Sequence, residues 1–550
     1  MFRESVETYS KYAAEKFIQT AVFVDDRIYE KQSKTSGDTK NVVAPKIRKK
    51  ATRSAEEAEP IQEVEVGEAD SLPDARDIVT SFAKKQIVCS LYQPKEEAKY
   101  SQSSDIFPLC RAADVVILDW DLFGDGGNRA TELADGLVTQ AANDVPEQLR
   151  LILVYTQEAN LFEIANKLYE KINDSIGKAI EPRPEDSGMA FHTENSRVVV
   201  LGKPGRTRAP DQEAFVVDES DLADVAVKEF AKLASGILHA ATLLGLSEIR
   251  NNSRKILSKF NSELDPGFLT HLSMSLPEED ASSHVIPLLV SEIESVLEDA
   301  IPKPLVPMKL LEDWCENVWK PGPHLQNIFD KKDIEHHRKV AKIICTKGFS
   351  AAKEFENKTP KLGSSNKNTR MAAKIFLPSS DSDSNQKFSH LMSSRTFYGD
   401  KEKTLKLGSV VHHREEDSYF LCIQPICDSV RLREERVFVF VRMGKSGESE
   451  SDDASHVIIL SDGSVQELVF QPKSYLCFTS TFSPDVAAQE VIAKPDDNGA
   501  PFFENTDGEN FYWVDQLRAS HAQRAVERFA SDLSRVGLTE AEWLRRLARS

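Results

Sequence analysis

The stretch Ala113-Asp-Val-Val-Ile-Leu-Asp-Trp-Asp-Leu-Phe-Gly-Asp-Gly-Gly127 constrains the fold of this chain more than any other segment, because an uninterrupted apolar run delivers an aspartate into a glycine-rich turn. Val115 to Leu118 is short and mostly β-branched, the pattern of a strand buried on both faces of a parallel sheet. Such strands present their reactive groups at their carboxyl ends. Asp119 is therefore the first candidate for chemistry, and a buried strand ending in an acidic turn is the plain alternative.

Three further apolar runs end in polar residues. Thr20 to Val24 leads into Asp25-Asp26, Leu151 to Tyr155 into Thr156, and Arg197 to Leu201 through Gly202 into Lys203-Pro204. A doubly wound sheet would bring all four ends to one rim. A carboxylate is a poor nucleophile towards a phosphoryl group unless a cation offsets the repulsion, and Mg²⁺ prefers carboxylate, carbonyl and water oxygens. Asp25 or Asp26 with Asp119 would hold such an ion, with the backbone carbonyl of Asp121 as a further ligand. Lys203 would supply a fixed positive charge and Thr156 a hydroxyl for the phosphoryl oxygens.

In this order the four strand ends resemble the receiver domain of two-component response regulators, over about residues 15 to 235. The resemblance implies Asp119 as phosphoacceptor, Asp25 and Asp26 as Mg²⁺ carboxylates, Thr156 as the switch hydroxyl and Lys203 as the phosphate-pairing cation. It also implies a histidine-kinase-like phosphodonor as partner. Large receiver-led chains without a DNA-binding output resemble those of bacterial conflict and anti-phage systems. Three positions depart from the family pattern: Phe123 stands where proline is usual, Gln157 where a small residue follows the switch hydroxyl, and Val200 where an aromatic often precedes the lysine.

Two other readings stay open. A strand followed by Asp-x-Asp also resembles the first motif of haloacid-dehalogenase-type phosphatases, and Phe215 to Asp221 could imitate their late acidic motif. Order argues against it, since Asp25-Asp26 precedes everything, and Phe215 to Asp221 reads more simply as the N-terminal cap of a helix. A receiver-fold scaffold that does not use phosphate is the third reading. The receiver reading is not an enzyme in the ordinary sense, because it would catalyse only its own aspartyl phosphorylation and dephosphorylation.

At 550 residues the chain is long for one core. The boundaries expected are 1–235 for the receiver-like domain, 236–357 for a helical region, 358–394 for a linker and 395–550 for a β domain with C-terminal helices. The fold class is α/β plus α and β regions: a doubly wound parallel five-stranded sheet, a helical middle and a small β-barrel or sandwich. Residues 31 to 72 carry a basic block and then an acidic one with little apolar periodicity, and read as a disordered insertion. Leu222–Phe260, Val285–Ala300, Met308–Val318 and Asp333–Phe355 repeat apolar residues at helical spacing, suited to partner binding or a homodimer. Beyond residue 408 the period becomes two, with strands expected at Ser409-Val-Val, Ser418 to Gln424, Val437 to Arg442, His456 to Leu460 and Gln466 to Gln471.

A net charge of −19 disfavours binding of nucleic acid or anionic membrane over the whole surface. Apolar residues make up 40% of the chain without a run long enough for a membrane span, so a cytoplasmic protein is expected. Seven cysteines form no Cys-x-x-Cys pair and are expected to be reduced thiols. The adjacent pairs His336-His337 and His412-His413 would point apart, and Cys427-Asp428 has no second ligand at metal spacing. No Ser-His-Asp spacing is visible. Leu517 to Arg535 reads as an amphipathic helix, and Thr539 to Glu542 as a capping box opening another.

Overall fold

Five apolar runs form parallel strands whose side chains alternate between two cores. They are β1 (Thr20–Val24), β2 (Val88–Tyr92), β3 (Val115–Asp119), β4 (Arg150–Thr156) and, after the short β5 (Ala190–His192), β6 (Ser196–Gly202). The computed structural model describes residues 5–28, 75–97, 100, 104–143, 148–177, 187–193, 195–274, 285–300, 304–327, 333–355, 374–379, 382–398, 402–446, 455–460, 462–534, 544–545 and 547–548. The insertion expected at 31–72 and the capping box at Thr539 lie outside these residues. The chain divides into two compact units, residues 1–319 with 333–358, and residues 320–332 with 359–550.

In the first unit the sheet order is β2-β1-β3-β4-β6-β5. The expected five parallel strands are joined by a sixth, because β5 pairs antiparallel with β6, Phe191 opposite Val198. Ala21, Phe23, Val115, Ile117, Leu151, Leu153, Tyr155, Val199 and Leu201 face one core. It is covered by α1 (Val6–Phe17), α2 (Ala75–Lys84), and the later helices α7 (Leu222–Leu233) and α8 (Ile237–Lys259). Val22, Val24, Val116, Leu118, Ile152, Val154, Val198 and Val200 face the other. That face is covered by α3 (Ile106–Ala112), α4 (Asn128–Asn143) and α5 (Leu161–Ile176). Burial on both faces explains why the runs are continuous rather than alternating.

The start of α1 follows from its cap. Ser5 Oγ accepts from Thr8 N–H and Thr8 Oγ1 accepts from Ser5 N–H, a reciprocal box at α1. The segment read as a cap, Phe215 to Asp221, does open α7, yet no side chain there makes a capping hydrogen bond. It is instead tied to the sheet: Gly202 N–H donates to Phe215 O at 2.9 Å and Val217 N–H to Gly202 O at 3.0 Å. Helices Asp265–Met274, Val285–Ala300, Met308–Asp313 and Ile334–Phe355 complete the unit. Among the described residues no helix is long and apolar enough to cross a membrane.

The second unit is built on an antiparallel sheet of nine strands. Its members are β7 (Ser409–His413), β8 (Ser418–Cys422), β9 (Arg436–Lys445), β10 (His456–Ile459), β11 (Val465–Phe470), β12 (Cys477–Phe482), β13 (Lys494–Pro495), β14 (Pro501–Glu504) and β15 (Asn510–Gln516). Period two again serves two cores. Val410, Leu421, Val441 and Met443 pack with Phe529 of the helix Ala519–Leu533, whereas Val411, Phe420, Phe440 and Phe511 join an aromatic cluster on the other face. The stretch expected as a linker over 358–394 contains a helix, Ser384–Ser393, whose His390 Nδ1 lies 2.9 Å from Val457 O.

The turn between β7 and β8 is held by Asp417, which accepts from Lys445 Nζ and pairs with His412 Nε2 at 3.0 Å. Lys445 first, and then His412, hold its carboxyl below the ordinary aspartate range. A depressed folded-state pKa adds stability above the unfolded value, and that stability is lost as pH falls through the folded value. Asp417→Asn is therefore expected to lower the urea midpoint at neutral pH, with variant and wild type converging in acid.

Candidate functional site

The carboxyl ends of β1, β3, β4 and β6 meet at one rim, where the strand order turns back between β1 and β3. Lys203, one residue past β6, reaches across it. Its Nζ lies 2.5 Å from Asp119 Oδ1 and 3.5 Å from Asp25 Oδ2. All three side chains are buried. The Tyr155 ring, whose centroid is 5.3 Å from Nζ, flanks the ammonium.

Burial, and then Asp25, push Asp119 above the ordinary aspartate range against the pull of Lys203. Burial would lower Lys203, but Asp119 and Asp25 together hold it above the ordinary lysine value, so it stays charged. Asp26 is raised chiefly by burial, although it accepts from Phe123 N–H at 3.0 Å. Asp25 Oδ1 accepts from Arg27 N–H at 2.8 Å.

Two carboxylate oxygens, Asp25 Oδ2 and Asp26 Oδ1, are buried without a hydrogen-bond partner. Asp25 Oδ2 has the Lys203 ammonium only at 3.5 Å; buried polar atoms are rarely left without hydrogen bonds, and carboxylate oxygens so placed suit a hard cation. Among the described residues no three His, Cys, Asp or Glu side chains form a ready cage. An ion would therefore draw on backbone and water oxygens as well, which is the habit of Mg²⁺. The residues present fit that group.

The loop after β3 is shaped by its own acids. Asp119 Oδ2 accepts from Asp121 N–H at 3.2 Å, Asp121 Oδ1 from Gly126 N–H at 2.8 Å, and Asp125 Oδ1 from Gly127 N–H at 2.9 Å. Asp121 thus turns its side chain into the loop. Phe123 holds a left-handed backbone, φ 59°, which is costly for a bulky residue and is sustained here by Asp26 and by Arg129 stacked 4.9 Å from its ring. Gly127, φ +82°, has no room for a side chain, since a Cβ would stand 2.1 Å from the Trp120 ring. Gly127→Ala is expected to cost about 2–4 kcal/mol from overpacking and left-handed strain, read by chemical denaturation.

Thr156 is buried at the end of β4, its Oγ1 accepting from Glu158 N–H at 3.0 Å. Its carbonyl accepts from Lys203 N–H at 2.7 Å, joining the two strand ends. Gln157 follows on the partly exposed rim, and Val200 is buried in the core facing α4 and α5. The aromatic beside Lys203 is Tyr155, whose hydroxyl donates to Val217 O at 2.7 Å. Residues 17–208 match the family model described as Response receiver domain. This stretch is a receiver domain. No curated protein and no solved structure matches the chain.

One residue at the receiver's rim carries no signal in the sequence. Arg208 donates to three carbonyls, those of Lys203 at 2.7 Å, Glu158 at 3.1 Å and Thr156 at 3.3 Å, and so fixes the loops after β4 and β6. It lies so close over Gly202 that a Cβ there would stand 2.8 Å from its Cζ. Gln212 on α6 (Pro210–Glu213) adds a bond to Leu161 N–H, at the start of α5.

Outside the receiver, three residues that showed no hydrolase spacing do converge. Ser393 Oγ lies 3.4 Å from His456 Nδ1, and His456 Nε2 lies 3.0 Å from Asp515 Oδ2. The Ser393 hydroxyl already donates to Ser389 O, and Asp515 also accepts from Ser394 Oγ at 2.6 Å. These bonds fasten the helix Ser384–Ser393 to the sheet. Cys427 is exposed on a turn, and His412 and His413 diverge as neighbours on a strand do.

Proposed function

We propose that the receiver takes a phosphoryl group on Asp119 from a histidine-kinase-like partner and relays the change through protein–protein contacts. What supports this most is the bridge of Lys203 between Asp119 and Asp25 at adjoining strand ends. Asp25, Asp26 and Asp119, with the carbonyl of Asp121, would hold Mg²⁺, which when bound offsets the repulsion between carboxylate and phosphoryl oxygens. An Asp119 oxygen attacks phosphorus, and the donor imidazole leaves with the electrons of the P–N bond. Lys203 then exchanges a carboxylate contact for the phosphoryl oxygens. Thr156, whose hydroxyl oxygen accepts from Glu158 N–H, has its proton to donate to them.

The phosphatase reading would need acids from Asp218 to Asp221 at the reacting centre. Lys203 instead bridges Asp119 to Asp25, an acid that precedes both in the chain rather than following the lysine. In the favoured reading the receiver catalyses only its own phosphorylation and dephosphorylation.

The test is incubation of the full chain with Mg²⁺ and a small phosphodonor, or with beryllofluoride. A stoichiometric, hydroxylamine-labile adduct that Asp119→Asn abolishes is the expected result. Multiple turnover of the phosphodonor would support the phosphatase instead. Absence of both adduct and beryllofluoride binding would leave a scaffold.

A further inference from the structure

Two thiols in the helical region stand close enough to react with one another. The helix Met308–Asp313 runs into a wider turn, Trp314–Val318, closed by Trp319 N–H donating to Trp314 O at 2.8 Å. Such π turns recur at functional positions. Cys315 lies in this turn and is buried. Cys345 is half-buried on Ile334–Phe355, three residues before a break at Gly348 with φ 82° and ψ 170°. Their Sγ atoms are 3.5 Å apart, with Cys315 donating to Cys345.

We propose that Cys345 and Cys315 form a modification site at which a hydroperoxide oxidises Cys345 and Cys315 resolves the product to an intramolecular disulfide. The geometry assigns the two roles. Cys345 is the less buried residue of the two and so the one offered to an oxidant, and the Cys315 sulfur is already in contact with it. The hydrogen bond from Cys315 also holds Cys345 below the ordinary thiol range, while the same bond and burial hold Cys315 above it. Thiolate is the nucleophilic form.

The Cys345 thiolate attacks the terminal peroxide oxygen, so an S–O bond forms as the O–O bond breaks, and the departing hydroxide or alkoxide takes a proton to leave as water or alcohol. The Cys315 thiol then gives up its proton and attacks the Cys345 sulfur, forming S–S and expelling the sulfenic oxygen as water. Two electrons pass from the sulfurs to the peroxide. The sulfurs must close from 3.5 Å by about 1.5 Å to reach the disulfide length.

The bond would fasten one element to another that is already anchored. Leu310 is buried against the α1, α7 and α8 core, Asp313 Oδ2 accepts from Val6 N–H at 2.8 Å, and Tyr9 Oη donates to Leu305 O at 2.7 Å. Cys315 therefore sits on a segment that caps the first helix of the unit. Oxidation would tie Ile334–Phe355 to that segment and so restrain the helix that leads towards the second unit. All seven cysteines are free in this structure.

The test uses the reduced full chain, treated with graded hydrogen peroxide, alkylated and mapped by peptide mass. A linked Cys315–Cys345 peptide pair, lighter by two hydrogens, is expected at peroxide levels that leave the exposed Cys427 open to alkylation. Dithiothreitol should reverse it. In Cys315→Ser, Cys345 is expected to accumulate as a sulfenic acid trapped by dimedone, and in Cys345→Ser no such adduct forms at position 315. The wild-type arm compares Cys345 with Cys427 in one molecule, so a variant that fails to fold does not remove the test. Oxidation of Cys427 ahead of Cys345, or peroxide treatment that yields no 315–345 pair, would overturn the proposal.

Discussion

Lys203→Met is expected to destabilise the metal-free protein by about 3–5 kcal/mol, the usual cost of removing one half of a buried ion pair. Nζ serves two buried carboxylates, Asp119 at 2.5 Å and Asp25 at 3.5 Å, and methionine keeps the apolar stem while deleting the charge. The carboxylates then face one another without a counter-charge, which raises their proton affinity and equally their appetite for a divalent cation. Mg²⁺ should therefore restore more stability to the variant than to the wild type. At a hundredfold excess over its Kd, a ligand bound only by the folded state contributes about 2.7 kcal/mol. Phosphoryl uptake by Asp119 should nevertheless fall by about 10²–10³-fold, the cost of removing one preorganised stabiliser of the transferring group. Denaturation with and without Mg²⁺, together with the rate of adduct formation, reads both effects. A stable variant that takes up phosphate at the wild-type rate would show that Lys203 only balances Asp25 and Asp119.

The strand ends were legible because a sheet covered on both faces leaves its strands as unbroken apolar runs, and the first polar residue after each run marks the rim. Asp25, Asp119, Thr156 and Lys203 all stand at such transitions. Arg208 was not legible, since its value lies in reaching the carbonyls of Thr156 and Glu158, about fifty residues back along the chain, from a polar loop without periodicity. The edge strand β5 escaped notice because three residues, Ala190 to His192, are too few to show a period. In the second unit β7 to β11 were visible by alternation, whereas β12, Cys-Phe-Thr-Ser-Thr-Phe, hides its pattern behind threonine and serine, and its burial is correspondingly incomplete. The Ser393, His456 and Asp515 contacts join residues too far apart in sequence for any spacing rule to relate.

Arg197→Ala is the second substitution with a large expected effect, and it lies away from Asp119 and Lys203. Arg197 is a charged residue within the apolar β6, yet it is only 1% exposed. Its Nε and Nη2 donate to Glu229 Oε2 on α7 at 2.9 and 2.7 Å, and Lys232 Nζ holds the other oxygen, Oε1, at 2.9 Å. Truncating the arginine leaves a buried carboxylate with only the half-exposed Lys232, for an expected loss of about 3–5 kcal/mol. The double variant Arg197→Met with Glu229→Leu should recover most of it, because an apolar pair of similar volume avoids the desolvation both charges otherwise suffer. The cycle also separates stability from signalling. β6 leads into Lys203 and α7 begins the helices that follow the receiver, so this buried ion pair ties the strand before Lys203 to those helices. A double variant that is stable and phosphorylated normally, but no longer alters amide exchange in α7 and α8 on phosphorylation, would place the pair on the route by which the change at Asp119 reaches those helices. Unaltered exchange would leave it a structural clamp.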